Sequence, residues 1–506
     1  MSVSEGSGRG WLIARGITWN ALYQFFEIAM SFGAMLVLVR IIPPVEYGRF
    51  GAVLGLLTLL NSFNVGAFMG QALQLPDGEE PDWSLHWTAG LYVQSALMLA
   101  CNGLAAVCWL TPSYQPIAPL LHLGALGFLL DWPARLRVVM LRRDLAFGRM
   151  KSLLACSTAL QLAVTILGGL LGAGAYAIVF GANVVTPLPL AIDLLFVDGW
   201  RPRADWWRWP DWTAYRPALV FGAQQGLSGL LGSARVALEG AVLPRAVGYA
   251  AIGLLNRAQA LSSTTVGRVG AVLVETAYPL LPRYVTDAAS YARQAALFIQ
   301  VLLLAALPGV VYIGLQGRVL SRILYGDRWI AADPLIWPAA LGALGLAAFG
   351  GGASVLLAAG RLRASFLLNA LAALLSVPMV AVAWVGGHVV SYAWALAGSQ
   401  LVAGAIALAS ASPLLTPGWA RPTLVPPAVA SLVGLGAVVA VERLGLALHV
   451  FAELCLESAV FFLALALTLR GVFPGALARV LSRAPGGDRL GGWLGLRVGQ
   501  VASTNR

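Results

Sequence analysis

Fourteen apolar stretches of roughly twenty residues fill the chain between positions 16 and 469, and short polar segments separate them. A helix needs about 20 apolar residues to cross the hydrocarbon core of a bilayer, which is about 30 Å thick. Each stretch is therefore predicted to be a membrane-spanning helix, and the segments between them are too short for a sizeable soluble domain. The predicted spans are 16–39, 51–75, 88–110, 116–134, 152–172, 174–197, 215–238, 246–266, 294–317, 334–358, 364–385, 390–412, 424–441 and 447–469.

The distribution of basic residues predicts an orientation. The chain carries a net charge of +11, yet only 11% of its residues are charged, whereas a soluble domain carries about 25%. Basic residues gather on the cytoplasmic loops of membrane proteins, which explains the charge better than a nucleic-acid partner does. With a cytoplasmic N terminus, the cytoplasmic segments hold 24 Lys and Arg and the outside loops hold 7. This asymmetry predicts a multi-pass protein of the bacterial inner membrane with both termini in the cytoplasm.

No residue pattern indicates an enzyme, a cofactor or a metal centre. The cysteines lack metal-ligand or disulfide spacing, and the four histidines are scattered singly. A membrane glycosyltransferase or polymerase would need catalytic acids at the outer face, normally on a long loop. The longest outside loop, 318–333, offers only Asp327 and Asp333. The sequence therefore predicts a protein that is not an enzyme.

Two cytoplasmic segments have unusual compositions. Residues 131–151 alternate arginines with apolar residues, which predicts a basic amphipathic helix on the inner leaflet. Residues 198–217 hold five tryptophans among four arginines. This composition is typical of segments at headgroup depth, and we favour that interfacial location over a binding role. Asp193, at the cytoplasmic end of the sixth span, is expected to reach water.

An offset of 200 residues aligns the junctions after the first and seventh spans. Residues 44–48 fall on 244–248, and Gln24 falls on Gln224. This offset divides the spans into six, six and two, with parallel repeats related by an axis along the membrane normal. The predicted domains are an N-terminal six-helix bundle at 1–197, an interfacial Trp/Arg linker at 198–217, a C-terminal six-helix bundle at 218–412, two extra helices at 413–470 and a cytoplasmic tail at 471–506.

Several segments resemble the Wzx-type oligosaccharide flippases of the multidrug/oligosaccharidyl-lipid/polysaccharide (MOP) exporter superfamily. The resemblance covers most of residues 15–410, whereas the last two spans match only in number. The segments that carry it are 42–50, 142–147, 247–259, 279–283 and 324–334, of which the last, LYGDRWIAADP, is the most specific.

The resemblance implies an all-α fold of two six-helix bundles in a V shape around a central cavity, with two further C-terminal helices. It also implies the substrate, a polyprenyl-diphosphate-linked oligosaccharide that is turned from the inner to the outer leaflet by alternating access. A diphosphate and several sugars cannot cross hydrocarbon unaided, because burying an unpaired charge is very costly. Expected partners are this lipid-linked oligosaccharide, membrane lipids, and glycosyltransferases and a polymerase of the same pathway, without nucleic acid.

Arginines inside the predicted spans are candidates for substrate binding, since polar residues at membrane depth are by default functional. Arg257 lies well inside the eighth span, and its guanidinium suits bidentate phosphate binding. A structural ion pair is the alternative. Asn256 and Gln259 beside it are suited to sugar hydroxyls. Arg235 is a second cavity candidate, but Glu239 follows at i+4 spacing and could simply pair with it.

The remaining candidates lie in the first and seventh spans. Glu27, near the middle of the first span, could pair with Arg257 or take up a proton and couple transport to an ion gradient. Desolvation would raise its pKa and a neighbouring arginine would lower it. Gln24, Gln224 and Gln225 either line the cavity or form hydrogen bonds between helices.

Two other transporter classes compete with this interpretation. A lipid II flippase for peptidoglycan also has fourteen spans, but it is usually richer in cavity arginines and is therefore the second choice. A multidrug exporter would have twelve spans, and cavity arginines would repel cationic drugs.

Overall fold

The described part of the chain is mostly helical and contains no β-strand. A computed structural model describes residues 3–76, 79–198, 200, 202–203, 207, 209–267, 270, 273, 280–445 and 449–481; within these ranges it leaves out the side chains of residues 3–17, 228, 264–265 and 479–481. The chain forms two compact units, residues 1–253 and 254–506.

The first unit contains nine helices among its described residues, and a tenth begins in it. They are α1 (Val3–Ile41), α2 (Pro44–Asn61), α3 (Val65–Met69), α4 (Trp83–Trp109), α5 (Ala118–Arg143), α6 (Phe147–Leu170), α7 (Ala175–Val179), α8 (Leu188–Ile192), α9 (Arg216–Ala246) and α10 (Tyr249–Ser262), which runs into the second unit. The π-helical turn Phe180–Val185 joins α7 to α8, and a second one, Asp193–Val197, extends α8, so that the four segments form one span, Ala175–Val197.

The second unit continues with seven helices in its described residues. They are α11 (Ala288–Tyr325), α12 (Asp333–Ala358), α13 (Leu362–Gly386), α14 (Val389–Ala411), α15 (Ala420–Glu442), α16 (Val450–Val472) and α17 (Pro474–Leu481). The 38 residues of α11 give a length of about 57 Å at 1.5 Å per residue. This helix therefore extends well beyond the hydrocarbon core.

Glycines allow the helices of the first unit to approach closely. A Cβ on Gly55 of α2 would lie 2.3 Å from the Val236 carbonyl oxygen, and one on Gly240 of α9 would lie 2.6 Å from that of Ala52. Apolar side chains gain little by leaving lipid for a protein interface, because the acyl chains are equally apolar. Helices in membranes therefore associate through close van der Waals packing, which small residues permit. The packing of α2 against α9 therefore depends on these positions.

The second unit uses small residues and buried polar groups. A Cβ on Gly345 of α12 would lie 2.4 Å from the Gln400 carbonyl carbon of α14, so these two helices are in backbone contact. Glu457 of α16 is a carboxylate within a membrane-spanning helix, and it is 5% exposed. It accepts a 2.6 Å hydrogen bond from Gln316 Nε2 of α11. This bond joins α16 to the rest of the unit.

Tryptophans hold the segment after α8 against α4 and α5. The Trp87 ring of α4 is 2% exposed and lies 4.0 Å, centroid to centroid, from Trp132 of α5. Trp200 and Trp207 lie 5.2 and 5.7 Å from the same ring. Trp200 and Trp207 of the 198–217 segment thus also act in packing.

The membrane-spanning count is close to the prediction. Twelve helical stretches of the described residues are long and apolar enough to cross a membrane, and α9, bent by 45° between Leu227 and Gly229, makes a thirteenth. The predicted eighth span corresponds to α10 and the π-helical turn Ser263–Gly267. That stretch is not among the thirteen, and most of residues 268–279 lie outside the described part of the chain, so the eighth of the fourteen predicted spans stays a prediction.

Three sequence interpretations need correction. Residues 131–143 belong to α5 and α6 begins at Phe147, so residues 131–151 are not a separate interfacial helix. Asp193 does not reach water, because it is 5% exposed. The 200-residue offset pairs unlike positions, since Gly48 lies inside α2 whereas Gly248, with a φ of +82°, separates α9 from α10. The division into six, six and two spans remains a prediction.

Candidate functional site

The three predicted substrate-binding residues of the eighth span lie together on α10. Asn256, Arg257 and Gln259 are half-buried. Arg257 is close enough to the hydroxyl of Tyr325, the last residue of α11, for an electrostatic interaction. Tyr325 is 3% exposed, and its hydroxyl has no hydrogen-bond partner in the described part of the chain. The second unit therefore places a guanidinium and a buried phenol in one neighbourhood.

The polar residues of α9 fall into two groups. Arg235 forms an ion pair with Glu239 one turn later, which is the structural alternative that the spacing left open. Gln224 and Gln225, in the first half of the helix, have exposed side chains. They are thus available to a ligand, whereas the charge of Arg235 is largely satisfied within its own helix.

Glu27 and Gln24 are half-buried neighbours on α1, one turn apart. The Lys151 ammonium of α6 lies 4.9 Å from the centroid of the Tyr23 ring, a distance at which a cation is attracted to an aromatic face. Glu27 belongs to the first unit and Arg257 to the second. The pair suggested between them stays a prediction.

A network of four charges that sequence reasoning missed lies in the first unit. Arg137 of α5 donates from Nε to Asp193 at 2.6 Å and from Nη1 to Asp198 at 3.0 Å. Arg149 of α6 contacts the same two carboxylates at 2.8 and 3.2 Å. The Arg137 and Asp193 side chains are 4% and 7% exposed. The network therefore locks three spans together and leaves little charge for a ligand.

The first unit also contains a polar cavity of about 320 Å³, which sequence reasoning also missed. Six polar side chains line it, and its two charged ones are paired with each other; glycines and the ring of Phe128 complete the wall. Asp131 of α5 accepts hydrogen bonds from Asn64 Nδ2 at 2.7 Å and from Arg135 Nε at 2.9 Å. Asn61, Asn183 and Thr186 complete the polar lining. The only signal for it in the sequence is the presence of amides and a carboxylate in otherwise apolar spans.

Comparison with solved structures places this fold among membrane transporters. A lipid II flippase, MurJ, in an inward closed conformation matches with a TM-score of 0.71 at 11% sequence identity, over 89% of this chain and 98% of that chain. A multidrug resistance MATE family transporter of the MOP superfamily, in an inward-facing conformation, matches with a TM-score of 0.51 at 14% identity, over 77% and 95%. At these identities the likeness shows the fold alone.

Sequence comparison identifies the family. No curated protein matches the chain. The sequence profile of the family described as "Polysaccharide biosynthesis protein" matches residues 37–334, which is more than half of the chain and includes α2 to α11. The chain is thus a multi-pass membrane protein whose fold is similar to those of MurJ and the MATE transporter, and it belongs to the polysaccharide biosynthesis protein family.

Proposed function

We propose that the protein moves polyprenyl-diphosphate-linked oligosaccharides, the repeat units of an exopolysaccharide, capsule or O-antigen, from the inner to the outer leaflet of the bacterial cytoplasmic membrane. The observation that carries the proposal is the family match over residues 37–334 in a chain whose described helices include twelve able to cross a membrane. Polysaccharide units are assembled on lipids, and their charged and hydroxylated heads need a polar path through hydrocarbon.

Within this proposal Arg257 binds the diphosphate. A guanidinium presents a planar fork of donors that matches two phosphate oxygens and keeps its charge at any physiological pH. The buried hydroxyl of Tyr325, on which Arg257 acts electrostatically, supplies a further donor. Asn256 and Gln259 bind sugar hydroxyls beside it, and Gln24, Gln224 and Gln225 of the first unit are further substrate-binding candidates. Arg235, already paired with Glu239, contributes less.

Glu27 is the candidate for ion coupling. A carboxylate at membrane depth takes up a proton or a cation more readily than it remains an unpaired charge. Its protonation would then alternate with substrate binding, so that an ion gradient drives the cycle. Glycosyltransferases and a polymerase of the pathway would supply and consume the lipid-linked unit.

The proposal is tested by replacing Arg257 with Ala in cells that lack the native gene and measuring surface polysaccharide at equal protein level. Charge-assisted hydrogen bonds contribute about 1.5–3 kcal/mol, so export is expected to fall by roughly tenfold or more. Arg293, an exposed arginine on α11 that donates to Ser290, provides the matched control: Arg293→Ala should export normally. Undiminished export by Arg257→Ala would remove this residue from the mechanism.

Lipid II transport is the second candidate, favoured by the TM-score of 0.71 to the lipid II flippase. Deletion of the gene separates the two functions. Cells that remain viable but lack surface polysaccharide indicate a polysaccharide unit, whereas lysis with intact surface polysaccharide indicates the peptidoglycan precursor.

A further inference from the structure

The polar cavity of the first unit has the hydrogen-bonding character of a carbohydrate site. A sugar hydroxyl both donates and accepts, so a site for several hydroxyls needs donors and acceptors side by side. An Asn side chain offers two N–H donors and a carbonyl oxygen, and the bond from Asn183 Nδ2 to the Val179 carbonyl uses one of those donors. Asn61 adds further groups of both kinds, Thr186 adds the acceptor oxygen of a hydroxyl that already donates to the Gly181 carbonyl at 3.0 Å, and Phe128 offers an apolar ring.

The charges around this cavity argue against a cation or a phosphate as its ligand. Its lining contains one carboxylate, Asp131, and one guanidinium, Arg135, and the two are bonded at 2.9 Å. A cation bound at Asp131 would lie next to a fixed positive charge, and a phosphate bound at Arg135 would lie next to a fixed negative one. The paired charges sum to zero, which suits an uncharged, hydroxyl-rich ligand.

Two backbone features place Asn183 at the wall of the cavity. Asn183 lies in the π-helical turn Phe180–Val185, in which Thr186 N donates a 3.1 Å hydrogen bond to the Gly181 carbonyl. Such turns occur frequently at functional sites. A Cβ on Gly127 of α5 would lie 2.6 Å from the Asn183 carbonyl oxygen. The glycine therefore permits the approach that places Asn183 at the cavity wall.

We propose that this cavity, within the first unit, binds one or two neutral sugar rings of the lipid-linked substrate, as a glycan subsite separate from the Arg257 neighbourhood of the second unit. The proposal rests on the proposed function. A volume of about 320 Å³ lies at the lower end of ligand sites, which span about 300–1,000 Å³. The subsite therefore binds only part of a repeat unit, and the remaining sugars and the diphosphate bind outside this cavity.

The test measures binding of two lipids to the purified full-length protein by native mass spectrometry. One probe is polyprenyl diphosphate without sugar, and the other is the glycosylated polyprenyl diphosphate extracted from cells that lack the gene. Wild-type protein should prefer the glycosylated probe. Asn183→Ala should weaken binding of this probe by about fivefold to tenfold, the equivalent of one or two neutral hydrogen bonds, and leave the bare probe unchanged.

Two further variants serve as a second test and as a control. Asn61→Ala alters an exposed side chain at the end of α2 and should reproduce the selective loss without disturbing the π-helical turn. Asn369→Ala is the matched control, because Asn369 Nδ2 bonds the carbonyl four residues earlier, as Asn183 Nδ2 does, but lies in the second unit. It should bind both probes as the wild type does.

The outcomes separate this proposal from the function on which it rests. Equal loss of both probes, or an unchanged preference for the glycosylated probe, in Asn183→Ala and Asn61→Ala would each overturn the glycan subsite and leave the flippase function standing. Binding of neither probe by the wild type would contradict the flippase function itself, and the subsite with it.

Discussion

Replacing Asp193 with Asn tests whether the four-charge network stabilises the first unit. The substitution keeps the shape of the side chain but removes the charge that Arg137 contacts at 2.6 Å and Arg149 at 2.8 Å. The Arg137 side chain is 4% exposed, so water cannot replace the lost partner. Breaking a buried pair costs about 3–5 kcal/mol. Because Asp198 still contacts Arg137, we expect about 3 kcal/mol, a change of roughly 150-fold in the unfolding equilibrium.

The assay is equilibrium unfolding of the full chain in mixed micelles, followed by the fluorescence of its tryptophans. Arg322→Gln is the control, since Arg322 and Asp333 lie 3.7 Å apart and the Arg322 side chain is 53% exposed. Asp333 is 13% exposed, but water reaches the Arg322 end of the pair, and a pair screened in this way contributes about 0–1 kcal/mol. This variant should therefore lose much less stability than Asp193→Asn does.

A double-mutant cycle completes the test. Arg137→Gln combined with Asp193→Asn removes both charges, so no guanidinium stays buried next to a neutral amide. The double variant should therefore lose less stability than the two single variants together. A loss equal to the sum of the singles, or a cost of Asp193→Asn no larger than that of the exposed control, would refute the reasoning.

Two further predictions concern helix packing and a helix start. Gly127→Ala should destabilise the protein by about 1–3 kcal/mol in thermal unfolding, because its Cβ would lie 2.6 Å from the Asn183 carbonyl oxygen. Gly103→Ala is the control and should not destabilise the protein, since nothing lies within 4 Å of its Cβ. Equal stability of the two variants would contradict the close packing at Gly127. Hydrogen bonds from Ser290 lower the pKa of Asp287, the N-cap of α11. The cap therefore contributes above the ordinary pKa of 3.8 and is lost as the pH falls through the lowered pKa. Hydrogen exchange at this helix start, corrected for intrinsic rates, should show that loss, and Asp287→Ala should lack the protection already at neutral pH; an unchanged pattern in this variant would argue against the cap.

Hydropathy predicts the fold well because each span must satisfy its backbone internally and face apolar surroundings. The predicted sixth span, 174–197, agrees with the observed Ala175–Val197. Helix ends are less predictable, since a helix that leaves the hydrocarbon core continues through polar residues. The helix α11 extends six residues before its predicted start at 294 and eight beyond its predicted end at 317.

The candidate sites were harder to predict because they depend on contacts between distant residues. Arg137 and Asp193 are 56 residues apart, so each looked like a charge near water until the fold paired them. The same holds for Glu457 and Gln316, which are 141 residues apart. A cavity is harder still, because it depends on which side chains are small. Gly127 carries no chemistry of its own and only permits the approach of Asn183.

The four-charge network has a consequence for the energetics of the proposed transport across an energised membrane. Moving one elementary charge through a potential of 100 mV requires or releases about 2.3 kcal/mol. Arg137, Arg149, Asp193 and Asp198 contribute two positive and two negative charges that are held together by direct ion pairs. Displacement of this cluster along the membrane normal therefore transfers no net charge. The membrane potential neither drives nor opposes its movement, and any voltage dependence of the cycle must come from the substrate or from other charged residues.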